Sequence, residues 1–336
     1  MAEKTKILII RFSSIGDIVL TTPVIRCLKQ QIEGEVEVHY ITKQAYAVIL
    51  ESNPYIDKVY SIKKKVSEVA SDLRKEKYNF IIDLHKNIRS SRVKSSISGK
   101  SFSFDKLNYE KWMMVNFKKN LLPDFHIVDR YLASAKSLGI KNDDKGLDYF
   151  IPNEEKINVS DLPINFQQGY IAFAIGGQHA TKCLPVDKII DICRKVELPI
   201  VLLGGKNDQR VAKFIEDKLD QKILNGCGIF SLHQSASLVE QASLIISHDT
   251  GLMHIAAAFK KKIVSIWGNT IPEFGMYPYL PSALKHYSQM IQVDQLSCRP
   301  CSKIGFEQCP KGHFKCMKLI DEDTVVEHVY DLLKLD

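Results

Sequence analysis

The chain has 336 residues, of which 45% are hydrophobic and 25% charged, with a formal net charge of +7 at pH 7. That length suggests about two domains, and the composition excludes collagen-like, disordered and disulfide-scaffold classes. No apolar run approaches the roughly 18 residues that span a bilayer. The short run ILIIRF (7–12) has no small-residue cleavage site behind it. A cytoplasmic protein is therefore expected.

The elements alternate from the start. KILIIRF (6–12) is nearly continuous in apolar residues, as a strand covered on both faces would be. A helical stretch (18–31), strand VEVHYIT (36–42), a helix near 44–51 and strand KVYSI (58–62) follow. Helix 66–77 and strand NFIIDLH (79–85) lead into the basic stretch IRSSRVK (88–94), then a mostly helical tail through 110–138. Residues 141–168 are polar, carry Pro152 and Pro163, and read as a linker.

The alternation then restarts. Strands are expected at 169–177, 199–205, 222–225, 243–249 and 262–268, and helices at 185–196, 208–219, 231–242 and 251–259. The segment 269–316 is rich in loops, and 321–335 has an acidic first turn with helical periodicity. Two such runs imply two parallel-sheet α/β domains. In such sheets ligands bind outside the carboxyl ends of the strands.

Four strand-end loops carry more polar and glycine content than a turn needs. Ser13-Ser14-Ile15-Gly16-Asp17 opens a helix; it is either an anion receptor or a plain helix cap. Asp17 there also suits a general base. In Gly176–Pro185, paired glycines permit close backbone approach and Lys182 adds a positive charge, which suits a phosphate. Gly204-Gly205-Lys206-Asn207-Asp208 is a simpler strand–helix turn. In Ser247–His254, Thr250 and Gly251 start a helix whose free N–H groups would take a diphosphate. Asp249 would repel that group but accept hydrogen bonds from a sugar, and His254 lies four residues after Thr250.

Several chemistries are disfavoured. No G-x-G-x-x-G follows the first strand, and the P-loop, G-x-S-x-G and H-E-x-x-H motifs are missing. Charge is concentrated: 58–119 hold 16 basic against 6 acidic residues, whereas 161–336 hold 19 of each. That excess fits a phosphorylated substrate or an anionic membrane surface. Without zinc-finger spacing or an RNP-like motif, nucleic acid is not expected as a partner. Of eight cysteines, four cluster as Cys298-x2-Cys301-x7-Cys309-x6-Cys316. They are either zinc ligands or free thiols.

Taken together, SSIGD with Ile18-Val19-Leu20-Thr21-Thr22-Pro23, SHDTGLMHIAAAF (247–259), IWGNTIPEFGMYP (266–278) and the cysteine-rich 298–317 resemble glycosyltransferase family 9. These are the ADP-heptose:lipopolysaccharide heptosyltransferases. The resemblance implies a GT-B fold of two Rossmann-like parallel-sheet domains facing a cleft. Residues 1–160 would bind the acceptor and 161–336 the nucleotide-sugar, with helix 321–335 packing back on the first domain. It implies that Asp17 is the catalytic base. Thr181, Lys182, Asp208, Asp249, Thr250, Gly251 and His254 would bind the donor. Ser13, Ser14, Gly16, Arg89 and Arg92 would face the acceptor.

The implied reaction is an inverting transfer of heptose from an ADP-sugar to a phosphorylated lipid A-core acceptor, with no cofactor and no metal ion. Peripheral contact with the cytoplasmic face of the inner membrane is part of that expectation. Two other readings stay open in the sequence: a transferase using another nucleotide-sugar, and a protein that binds such ligands without turnover.

Overall fold

The computed structural model describes residues 4–335. In chain order the regular elements begin with β1 (Thr5–Ile10), α1 (Ile15–Val19), α2 (Thr22–Gln31), β2 (Val36–Lys43), α3 (Gln44–Glu51) and β3 (Lys58–Ile62). Then come α4 (Ala70–Glu76), β4 (Phe80–Asp83), α5 (Ile88–Ser96), β5 (Lys100–Ser103), α6 (Asn108–Phe117) and α7 (Ile127–Ser134). The later part holds β6 (Ile171–Ala174), α8 (Val186–Lys195), β7 (Ile200–Leu203), α9 (Gln209–Leu219), β8 (Ile223–Asn225) and α10 (Leu232–Gln241). It ends with β9 (Leu244–His248), α11 (Gly251–Ala258), β10 (Ile263–Trp267), β11 (Ser288–Gln292), α12 (Lys315–Lys318) and α13 (Glu322–Leu333).

The chain forms two compact units. One runs up to Leu107 and takes in Phe125–Phe150; the other is Asn108–Asp124 with everything from Ile151. Each contains one all-parallel sheet. The first is ordered β3-β2-β1-β4-β5 and the second β11-β10-β9-β6-β7-β8. Central strands are buried on both faces: Ile7–Ile10 in the first sheet, and all of β6, β7, β9 and β10 in the second. That is why they read as unbroken apolar runs.

Strand order fixes where a ligand can bind. In the first sheet the winding reverses between β1 and β4, paired in the register Ile10↔Asp83. In the second it reverses between β6 and β9, paired as Ala174↔Ser247. The loops leaving those strands diverge to opposite faces and open a crevice at each switch point.

The structure departs from the sequence expectations in four places. The single helix 18–31 is two helices. Thr21 and Thr22 turn their hydroxyls back onto the Ile18 and Val19 carbonyls at 2.6 and 2.8 Å, and Pro23 restarts the helix in its first turn. Strands β5 and β11 were not expected; both are edge strands with little buried surface and no apolar pattern to announce them. The boundary between units falls at 150/151, not 160/161, and 108–124 belong with the second unit. Finally, α13 packs within the second unit, where Val325, Val329 and Leu332 join the core of Ile189, Ile192 and Ile246.

Segment 141–150 stays with the first unit because Arg26 ties it there. Arg26 is 2% exposed on α2. It grips Asp143 with a fork at 2.7 and 2.8 Å, donates to the Gly146 carbonyl at 2.9 Å and pairs with Asp148. Removing one partner of a buried pair strands the others' charge, at a cost of about 3–5 kcal/mol. Arg26→Met is therefore expected to lower the thermal midpoint by about 10 °C. Differential scanning calorimetry checks it, and a shift under a degree or two would show the pair to be dispensable.

Candidate functional site

In the first unit the loop after β1 is organised around a buried ion pair. Arg11 ends the strand and reaches Asp17 in α1 at 2.6 Å. The guanidinium also donates to the Ser13 carbonyl at 2.8 Å, the Leu84 carbonyl at 2.6 Å and the Tyr131 hydroxyl at 2.9 Å. Asp17 accepts the Ser14 backbone N–H at 3.0 Å and its hydroxyl at 2.8 Å. Burial works against the charge on Asp17, but Arg11 and the Ser14 bonds outweigh it. The carboxyl is held below its ordinary range. Its side chain remains 24% exposed, so a substrate hydroxyl can approach it.

The β4 end supplies the other side of this switch point. Asp83 is buried and holds the turn, accepting from the His85 and Lys86 N–H groups at 3.0 and 2.7 Å and the Ser90 hydroxyl at 2.8 Å. Lys94 pairs with it at 3.1 Å. The turn sets the His85 ring edge-on against Phe12 and Arg89 over the same ring, 5.4 Å from its centroid. Burial and the nearby Arg11 push the His85 imidazole down to about 4, so it is neutral at pH 7. Ser13, Ser14, Gly16 and Asp17 thus follow β1 and Arg89 follows the neighbouring β4, with Arg89 reaching the Phe12 ring beside Ser13. Arg92 lies one turn further along α5 and is exposed.

In the second unit the loops after β6 and β9 meet directly. Lys182 lies 2.5 Å from the Asp249 carboxylate, whose same oxygen accepts the Thr270 hydroxyl at 2.9 Å. Thr250 caps α11 in extended backbone geometry without a side-chain hydrogen bond to the first turn. The leading N–H groups of α11, starting at Gly251, therefore keep their donors for an anion. His248, buried beneath this loop, accepts the Leu184 N–H at 3.0 Å and so fixes the loop that carries Lys182. Burial lowers its imidazole to about 4, which keeps it neutral and able to accept.

Asp208 reaches this region through a gap made of glycine. Its carboxylate accepts the Gly205 N–H at 2.8 Å. A Cβ on Gly176 would sit 2.1 Å from Asp208 Oδ2, and one on Gly204 at 2.8 Å. Glycines after both β6 and β7 thus make room for one carboxylate. Burial raises the Asp208 carboxyl, and the Gly205 bond opposes that. Thr181 and His254 are each 2% exposed. Thr181 exchanges hydrogen bonds with the Phe306 backbone at 2.8 and 3.0 Å, so it shapes the loop from within.

The sequence reading missed Arg11, His85, His248 and Thr270. Arg11 had a signal, being the one charge inside an apolar strand run. Thr270 follows β10 and is legible only once β10 is known to neighbour β9. A separate acidic grouping, Glu37, His39 and Glu76, has ligand atoms within 4.8 Å of one another. Lys4, Lys6 and Lys58 already neutralise it at 2.6–3.0 Å, so it reads as an ion-pair network.

Each unit is a parallel α/β layer with polar strand-end loops at its switch point, and the second brings Lys182 and Asp249 together beside the N-terminus of α11. The sequence profile of glycosyltransferase family 9 (heptosyltransferase) matches residues 66–310. The chain belongs to that family and is a glycosyltransferase with the GT-B fold. It is 26% identical over 294 residues to lipopolysaccharide heptosyltransferase 1 of Campylobacter coli, covering 79% of this chain and 84% of that one. The family 9 glycosyltransferase structure from Veillonella parvula DSM 2008 superposes with a TM-score of 0.76 at 22% identity, covering 98% and 97% of the two chains. The E. coli heptosyltransferase WaaC with ADP gives 0.71 at 19% identity, covering 98% and 100%.

Proposed function

We propose that this protein transfers a heptose from ADP-heptose to the phosphorylated inner core of lipopolysaccharide, inverting the anomeric centre without a metal ion in the transfer step. The observation that carries the donor side is the meeting of Lys182 with Asp249 beside the open N-terminus of α11. The second unit takes the donor and the first unit the acceptor. Asp208 faces the ribose and Asp249 the sugar hydroxyls. Arg89 and Arg92 take anionic groups of the acceptor, with Ser13, Ser14 and Gly16 shaping its edge.

The acceptor hydroxyl gives its proton to Asp17 while its oxygen bonds to C1 of the sugar. The C1–oxygen bond to the diphosphate breaks from the opposite face, and ADP leaves with that electron pair. Negative charge grows on the diphosphate as the bond breaks. Lys182 and the N–H groups at Gly251 are the fixed donors for that charge. Arg11 keeps Asp17 ionised and aimed.

A thermal-shift series with ADP, UDP, GDP, CMP and NAD tests the donor. Ligand at about 100 times its Kd adds roughly 2.7 kcal/mol, a shift of a few degrees. ADP alone is expected to give it. A shift with UDP or GDP instead would keep the fold and overturn the donor, and no shift at all would favour binding without turnover.

We place the enzyme in the cytoplasm, in peripheral contact with the inner membrane. No helix among the described residues is long and apolar enough to cross a membrane. Helix α6 has no buried residue; Tyr109, Trp112 and Phe117 on it and Leu121 just beyond are exposed. Trp112 lies against Tyr109 and Phe117, with centroids 6.4 and 5.2 Å apart, and Lys111 and Lys119 accompany them. Aromatic rings with flanking lysines suit the lipid headgroup level. Binding to anionic vesicles is expected to weaken with salt. The pair Trp112→Ala and Phe117→Ala should cut it about tenfold or more; unchanged vesicle sedimentation would remove α6 from the contact.

A further inference from the structure

The segment from Val293 to Phe314 has no strand or α-helix, and Pro300 is its one buried residue. A loop of that length inside a compact unit is uncommon without a function, and apolar burial does not offset its ordering entropy. It is nevertheless pinned at defined points. Arg299 donates to the Gly268, Thr270 and Val293 carbonyls and to Gln292 at 2.5–3.2 Å. Lys118 donates to the Pro300 carbonyl at 2.6 Å. The far part of the loop closes on the donor-side turn, where Phe306 bonds Thr181 and Gly305 lies so close to His179 that an added Cβ would be 2.6 Å from the His179 Cβ.

The same loop and the short helix behind it carry Cys298, Cys301, Cys309 and Cys316, all free thiols. Cys301 stands within electrostatic range of Cys298 and Cys309, and Cys316 within range of all three others. One further side chain stands at the cluster. His313 Nδ1 accepts the Lys315 backbone N–H at 3.1 Å, so the neutral ring carries its proton on Nε2. That Nε2 lies 3.8 Å from Cys298 Sγ. That places a hydrogen-bond donor against the sulfur of Cys298. Arg299 and Lys118 bring positive charge to the cluster.

We propose that Cys298, Cys301, Cys309 and Cys316 bind one thiophilic tetrahedral metal ion, zinc or iron, which staples the 293–316 loop and through Phe306 holds the Thr181–Lys182 turn in place. Four sulfur donors select such ions over magnesium or calcium. Each thiol releases its proton to solvent as it ligates. The four sulfurs do not converge to coordination spacing in the structure; binding draws them together. The ion has no part in the transfer step, since its ligands are all protein sulfurs and leave no open position. The inference is independent of which nucleotide-sugar is the donor.

Elemental analysis of protein purified under reducing conditions tests it. About one zinc or iron per chain is expected, and the element found decides between the two. Single substitutions Cys298→Ser, Cys301→Ser, Cys309→Ser and Cys316→Ser should each abolish stoichiometric metal, whereas Cys183→Ser should retain it. His313→Ala should keep the stoichiometry and lower the affinity about 10–100-fold. Cobalt reconstitution should give the thiolate-to-metal charge-transfer band without any need for activity. Chelation should lower the thermal midpoint and re-addition of the ion restore it. Metal-free protein that is folded and does not take up cobalt overturns the proposal, as does a cysteine variant that keeps its metal or a native Cys298–Cys301 disulfide in a peptide map.

Discussion

Asp17→Asn is expected to lower kcat by about 10²–10⁴-fold, the usual worth of general-base help, while ADP affinity stays within about twofold. The amide keeps the size of the side chain and loses its capacity to take a proton. An equal loss of ADP affinity and rate would move Asp17 out of the base role and into donor binding. The pairing with Arg11 adds a pH signature. Arg11 and Ser14 hold the Asp17 carboxyl below its ordinary range. The folded-state value is depressed, so the interaction is fully present above the unfolded value and is lost only as pH falls through the folded one. The acid limb of kcat should therefore lie below the ordinary carboxylate range. In Arg11→Gln burial is no longer opposed by the guanidinium, and that limb should move to higher pH. A limb that stays in place would assign it to another group.

The fold was legible because both sheets are parallel and buried. Each central strand reads as a continuous apolar run, and each helix that follows keeps a polar face, so element type and order emerge without tertiary knowledge. What escaped was set at the edges and by single polar contacts. Strands β5 and β11 face solvent on one side and show no apolar alternation. The unit boundary moved to 150/151 because Arg26 reaches more than a hundred residues along the chain to Asp143 and Asp148.

The site divides in the same way. Lys182, Asp208, Asp249 and Asp17 were visible as polar residues at the ends of predicted strands. Their partners were not, because nothing in a one-dimensional pattern says that β6 lies between β7 and β9, or that β4 lies beside β1. Strand order turns Thr270 and His248 into neighbours of the Lys182 turn, and His85 and Arg89 into neighbours of Ser13. The glycine gap for Asp208 is the converse case. Gly176 and Gly204 are conspicuous in sequence, but the close approach that explains them is a distance to a side chain thirty-odd residues away from the first of them.

Lys182→Ala is expected to raise the Kd for ADP about 10–100-fold, since a hydrogen bond to a charged group contributes roughly 1.5–3 kcal/mol. The loss has two parts. The diphosphate loses its cationic donor, and Asp249, now held by Thr270 alone among these partners, keeps its negative charge beside the arriving phosphates. A double-mutant cycle separates them. Asp249→Asn alone should affect ADP little and transfer strongly, because its proposed partner is the sugar and ADP has none. Combined with Lys182→Ala, it should recover part of the lost ADP affinity by removing the repulsion. Isothermal titration of the four proteins reads both terms. If Lys182→Ala binds ADP as the parent does, the lysine serves only to hold Asp249. If the double variant binds no better than the single one, the carboxylate lies too far from the diphosphate to repel it, and the lysine contact accounts for the whole effect.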